Sequence, residues 1–223
     1  MSRKAEKSPA KSELTRTRIL DAAIGLFRSR GFEATTMREI AAEAGVAIGA
    51  AYYYFDSKNA IVLAFYDRSR REMEPLLDAA LAESRDLRSR LLALIEVKLR
   101  YFLPNRGMLA TLAGRTDPND PISPFSRQTG EIRDSDIAVF ARAIEESRTR
   151  PPRDLAAHLP RLLWMYQMGI ILFWIYDHSP EQKRTHKLLE SSLDLISGLI
   201  KSSSLPLLAP FRKRVVQMIE AVL

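Results

Sequence analysis

Apolar residues recur at helical spacing along the chain, and no stretch alternates as a half-buried strand does, so the pattern predicts an all-α protein. In residues 12–30, Ile19, Ala22, Ala23, Leu26 and Phe27 share one helical face while Arg16, Arg18, Asp21 and Arg28 lie elsewhere. Gly31 closes that helix. Thr36 and Glu39 then stand at capping-box spacing and open a second, short helix that ends at Gly45. A third follows over residues 48–55. Asp56 and Ser57 offer caps for a fourth, which runs from Lys58 toward a kink or boundary at Pro75. Further helices are predicted over residues 87–103, 106–112, 125–148, 155–176, 181–201 and 209–222. The segment GRTDPNDPISP, rich in proline and turn formers, reads as a surface loop.

The longest apolar stretch, residues 162–176, is interrupted by Gln167 and falls short of the roughly 20 residues a membrane span needs. It is apolar on all sides, as a helix surrounded by protein is. A hydrophobic content of 46% with 27% charged residues predicts a chain that folds rather than one that stays disordered. Absence of cysteine excludes a disulfide framework, a thiolate metal site and a cysteine nucleophile, and suits a reducing, cytoplasmic setting. The N-terminal MSRKAEKSPAKSEL has no apolar run and is not expected to act as a secretory leader. Residues 1–13 read as a flexible basic tail whose Arg3, Lys4, Lys7 and Lys11 serve either solubility or a minor-groove arm. A net charge of +7 favours a polyanionic partner.

The informative segment is TTMREIAAEAGVAIGAAYYYFDSK, two short helices joined by a tight turn at Gly45. Ala41 and Ala51 are small enough to let the helices cross closely, and Ile40 and Val46 supply the apolar seam. In a helix-turn-helix the second helix enters the major groove of DNA. Ala47, Ile48 and Gly49 stand at its start, where they suit contact with thymine methyls and close backbone approach rather than bidentate hydrogen bonding. Arg38 is the candidate reader of guanine. Tyr52 and Tyr53 offer hydroxyls to phosphates, and Lys58, at a helix N-terminus, offers charge. Tyr54 and Phe55 are expected to point inward.

These residues resemble the tetracycline-repressor (TetR) family of bacterial transcription regulators. The likeness covers residues 15–58: ILDAA and LF in the first helix, GF at Gly31, TTMREIAAEAGV, and GAAYYYFDSK. The resemblance implies an N-terminal three-helix helix-turn-helix domain, residues 14–60, and a larger helical domain, residues 61–223, for dimerisation and effector binding. It further implies a homodimer on a palindromic operator, with DNA contacts at Thr36, Arg38, Ala47, Ile48, Gly49, Tyr52, Tyr53 and Lys58. Ala47 and Ile48 depart from the polar or basic residues common in the family, and Ala51 and Tyr53 replace a common leucine and histidine.

In the second domain Phe102, Met108, Phe140, Trp164 and Met168 are candidate pocket residues for a small, largely apolar effector, since aromatics and methionine line adaptable sites; each equally suits ordinary core. The last helix presents Phe211, Val215, Ile219 and Val222 as one stripe for packing on the body or on a second copy. Asp177, His178, Glu181 and His186 lack a metal-ligand spacing and read as an exposed helix end. Neither a catalytic triad order nor a phosphate-cradling glycine loop is present, so no enzyme, cofactor or metal is expected. The chain is expected to be a cytoplasmic, operator-binding repressor released by its effector. The alternative is an interaction protein or small-molecule carrier that keeps the fold without recognising DNA.

Overall fold

The computed structural model of the chain describes residues 9–222. Among these residues all regular structure is helical. Arg3, Lys4 and Lys7 of the predicted tail lie outside them.

Two compact units divide the chain, one formed by residues up to Arg70 with Asn105–Gly130, the other by Arg71–Pro104 with the residues from Glu131 on. The first unit contains α1 (Pro9–Arg30), α2 (Met37–Glu43), α3 (Ile48–Tyr54), the start of α4 (Lys58–Ala82), and α6 (Arg106–Leu112). The second contains the rest of α4, α5 (Leu87–Phe102), α7 (Gly130–Glu145, from Glu131), α8 (Arg153–Ala156), α9 (Leu159–Tyr176), α10 (Lys183–Ser202) and α11 (Ala209–Val222). The division differs from a cut at residue 60. α4 runs unbroken through Pro75, whose exposed position limits the effect of one missing backbone donor, so the boundary expected there does not form.

In the first unit α1 packs on α2 and α6, and α2 packs on α3. Ile19, Ala23, Phe27, Ile40, Ala41, Ala51 and Phe55 are buried, as the helical spacing requires. The proline-rich loop is not a simple surface excursion. Ile122, Ser123 and Ser126 are buried, Thr129 Oγ1 donates to Ser123 O at 2.7 Å, and Tyr66 Oη donates to Ile122 O at 3.5 Å. These turns delay the start of α7 to Gly130, past the predicted residue 125. Burial pushes the Tyr66 phenol up from its ordinary pKa, which keeps it a neutral donor.

The second unit buries Leu91, Leu94 and Ile95 of α5 with Phe140 of α7, Leu163 and Trp174 of α9, and Leu189 and Leu193 of α10. Two buried cations reach partners nearer the surface: Lys98 Nζ lies 2.6 Å from the half-buried Asp136, and Arg90 Nη1 lies 3.2 Å from the exposed Glu146. The predicted helix over residues 155–176 is broken, because Pro160 lacks an amide to continue α8 and instead begins α9. In α11 the buried residues are Val216 and Ile219, with Arg212 fixed to Asp154 at 2.9 Å; Phe211 is 68% exposed and leaves the predicted stripe. The last residue of that stripe, Val222, ends α11.

Candidate nucleic-acid interface

The turn between α2 and α3 is built from local signals. Thr36 Oγ1 accepts from the Glu39 amide at 3.3 Å, while the Thr36 amide donates to Glu39 Oε2 at 2.8 Å. The Thr36 amide and hydroxyl, joined by Arg30, hold the Glu39 carboxyl below its usual pKa, so the cap stays ionised. Gly45 takes φ +61°, its amide donates to Ala42 O at 3.0 Å, and the Val46 amide donates to Ala41 O at 2.9 Å. That left-handed residue reverses the chain between the helices. Ala41 and Ala51 are buried at the crossing, as their size requires.

Side chains from elsewhere clamp this turn. Arg18 Nη2, on α1, donates to Ala44 O at 2.8 Å and to Gly45 O at 3.4 Å, capping carbonyls that α2 leaves unpaired. The exposed position of Arg18 on its helix gave no sequence signal of this role. Elsewhere in the unit, Arg28 Nε donates to Asn105 Oδ1 at 2.6 Å, and Arg115 pairs with Glu33 and with Asp120.

Seven of the predicted contact residues, Thr36, Arg38, Ala47, Ile48, Gly49, Tyr52 and Tyr53, are exposed on α2, α3 and the turn joining them. Tyr53 is 79% exposed, with its ring edge-on to Tyr54. Tyr54 and Phe55 turn inward as expected: Tyr54 Oη meets Ser12 Oγ at 3.2 Å, and Phe55 is buried beneath the Arg16 guanidinium. Thr36 has its hydroxyl engaged in the cap. Lys58 is drawn backward: Nζ donates to Phe32 O at 2.7 Å and lies over the Phe32 ring at 4.5 Å, so it braces the loop between α1 and α2. Ser57 caps α4, its Oγ accepting from the Ala60 amide at 3.2 Å.

The predicted pocket residues do not share one unit. Met108 is fully buried in α6 of the first unit, whereas Phe102, Phe140, Trp164 and Met168 belong to the second. Phe140 and Trp164 are buried; Phe102 and Met168 are half-buried. A groove of about 510 Å³ on the second unit is lined instead by Leu172, Phe173 and Tyr176 of α9 and by Arg184 of α10. At its end Asp177 is buried, contrary to an exposed helix end. It accepts from the Ser179 amide at 2.9 Å and from the Thr185 amide and hydroxyl at 2.9 and 2.7 Å. Burial opposes ionisation there, but these hydrogen bonds outweigh it and hold the carboxyl well below the usual range. The described residues contain no cluster of three or more His, Cys, Asp or Glu able to hold a metal ion, and no helix long and apolar enough to cross a membrane.

Residues 19–65 match the bacterial regulatory proteins of the tetR family, and residues 90–215 match the tetracyclin repressor-like C-terminal domain. An HTH-type transcriptional regulator of Mycobacterium tuberculosis is 29% identical over 177 residues, 78% of this chain and 83% of its own. The HTH-type transcriptional repressor KstR2 of Rhodococcus jostii is 51% identical over 47 residues, 21% of this chain and 23% of its own. Among solved structures, FadR of Bacillus subtilis in complex with stearoyl-CoA aligns with a TM-score of 0.62 at 16% identity, covering 84% of this chain and 98% of that one. FadR of Thermus thermophilus in complex with lauroyl-CoA aligns at 0.62 and 22%, covering 85% and 95%. The capped helices, the glycine turn and these matches over both units lead to one conclusion: the chain belongs to the tetR family of bacterial regulatory proteins and is a DNA-binding transcriptional regulator.

Proposed function

We propose that this regulator is a homodimeric repressor that binds a palindromic operator and is released by a small, largely apolar ligand. The observation that carries the reading is the exposure of Arg38, Ala47, Ile48, Gly49, Tyr52 and Tyr53 around a turn clamped by Arg18. Arg38 reads guanine, Tyr52 and Tyr53 hold phosphates, and Ala47, Ile48 and Gly49 meet the groove floor at close range. Thr36 adds a polar group at the cap. Lys58 acts as a positioning residue, through the loop it braces.

Dimerisation is supported by the outward faces of α9 and α10, where Met165, Leu172, Phe173, Tyr176, Leu195 and Leu199 are exposed. Apolar groups at that density suit a second copy of the same surface. Two-fold symmetry then sets the recognition helices about 34 Å apart, on successive major grooves. Acyl-CoA complexes of structurally similar FadR proteins support a ligand-binding role for the second unit. Phe102, Phe140, Trp164 and Met168 are its candidate contacts.

The test is selection of bound fragments from the host genome, followed by binding measurements across salt concentrations. A palindromic site is expected, with affinity falling steeply with salt. Arg38→Ala should relax base preference by about 1–3 kcal/mol at one position, and Tyr52→Ala should weaken all sequences alike. A folded dimer that enriches no sequence at low salt would defeat the proposal.

A further inference from the structure

Gln167 sits in the middle of α9 with its side chain 1% exposed, and neither its Nε2 nor its Oε1 has a hydrogen-bond partner. Its companions on the same helical face are Leu163, Trp164, Ile170 and Trp174, all buried. A carboxamide has two donors and an acceptor to satisfy, and burying it unpaired among apolar groups is unfavourable unless something supplies them. We propose that Gln167 is the polar anchor of a ligand site in the core of the second unit. Its ligand is an uncharged, mainly apolar molecule that carries a donor and an acceptor side by side, as a carboxamide or lactam does. The inference rests on reading the second unit as the effector unit.

Charge in this unit sets the ligand class. The buried cations are already matched, Lys98 by Asp136 at 2.6 Å and Arg90 by Glu146 at 3.2 Å, with Arg90 Nε also donating to Ser84 O at 2.6 Å. Among the described residues, the unit's unpartnered buried side-chain atoms belong to Gln167 and to the Ser197 hydroxyl, both neutral. An anionic headgroup would therefore enter without a spare cation to meet it, whereas an amide would meet its complement. α9 packs on α5, α8 and α10, and α7 places Phe140, Ala143 and Ile144 in the core of the same unit, with its Asp136 paired to Lys98 of α5.

Trp164 and Trp174 are the chain's two tryptophans and flank Gln167, so intrinsic fluorescence reports the site directly. The full-length protein is titrated with butanamide, octanamide, dodecanamide and sodium octanoate, alongside Gln167→Leu. A saturable response to an amide and none to octanoate is expected. Gln167→Leu should bind that amide about tenfold more weakly, the equivalent of one neutral hydrogen-bond pair, and should melt at a higher temperature because the orphaned amide is gone. Equal binding by Gln167→Leu, octanoate binding as well as octanamide, or no saturable amide binding overturns the proposal. Operator binding by the same samples without amide tests the repressor reading separately. Its loss with amide binding intact refutes that reading and leaves the site standing.

Discussion

Gly45 offers a test in which backbone conformation separates from packing. Its φ of +61° lies where an L side chain crowds the following carbonyl, and a Cβ built there meets only Arg18 Nη2, at 4.0 Å. Steric overlap with the surroundings is therefore absent, and Gly45→Ala should lose only the conformational difference, about 1–2 kcal/mol. Gly45→Asn should lose less, because asparagine visits the left-handed region by bonding locally. Gly25→Ala is the control: it is helical, nothing lies within 4 Å of its added Cβ, and it should gain about 0.5–1 kcal/mol. Urea unfolding followed by far-ultraviolet circular dichroism measures all three, and an unchanged denaturant slope identifies the shifts as changes in stability. The reasoning is refuted if Gly45→Ala matches the wild type, or if asparagine and alanine lose the same amount.

Three further outcomes follow from the contacts. Asp136→Asn should lose about 3–5 kcal/mol by leaving the Lys98 ammonium buried without its counter-charge, whereas Lys98→Met combined with Asp136→Leu should recover most of that loss; thermal unfolding of the single and double variants measures the coupling. Arg18→Met removes the donors to Ala44 O and Gly45 O and should lose about 1 kcal/mol, with faster hydrogen exchange at the Val46 amide as the local signature. Asp177 has a depressed folded pKa, so its contribution is complete above the unfolded value of about 3.9 and is lost as pH falls toward the folded value. The stability gap between wild type and Asp177→Asn should therefore narrow below about pH 4, and a gap constant down to pH 3 would count against the role assigned to its hydrogen bonds.

The first unit was legible because its instructions are local. A threonine and a glutamate three positions apart define a cap, a glycine defines a reversal, and two alanines define a crossing; each works within a few residues. Contacts across long sequence separations left no such trace. Arg18 and Lys58 are cations in charged company, and only the folded backbone brings the carbonyls of Ala44 and Phe32 to them. α9 was unreadable for a different reason. With apolar residues all round, periodicity cannot separate the buried face of Trp164, Gln167 and Trp174 from the exposed face of Leu172, Phe173 and Tyr176. The predicted pocket set mixed units for the same reason, since burial of Met108 and of Phe140 gives one sequence signature in two different cores. In α11 the expected stripe began at Phe211, but the Arg212–Asp154 pair helps fix the helix with Val216 and Ile219 inward.

The clamps also bear on how so apolar a recognition helix can be selective. Ala47, Ile48 and Gly49 carry no side-chain donor, so under the proposed reading base discrimination comes from Arg38 and from how well a given duplex accepts close approach. Close approach is selective only if the approaching backbone is stiff, since a turn that yields would fit many groove widths equally. Arg18 on the α2–α3 turn, Lys58 on the loop after α1, and Arg115 with Glu33 and Asp120 provide that stiffness through charged donors to carbonyls and carboxylates. Specificity in this regulator is therefore expected to lie as much in residues that never touch DNA as in those that do. Arg18→Met should flatten the preference between a selected site and its variants at non-contacted base pairs, while leaving in place the guanine preference proposed for Arg38.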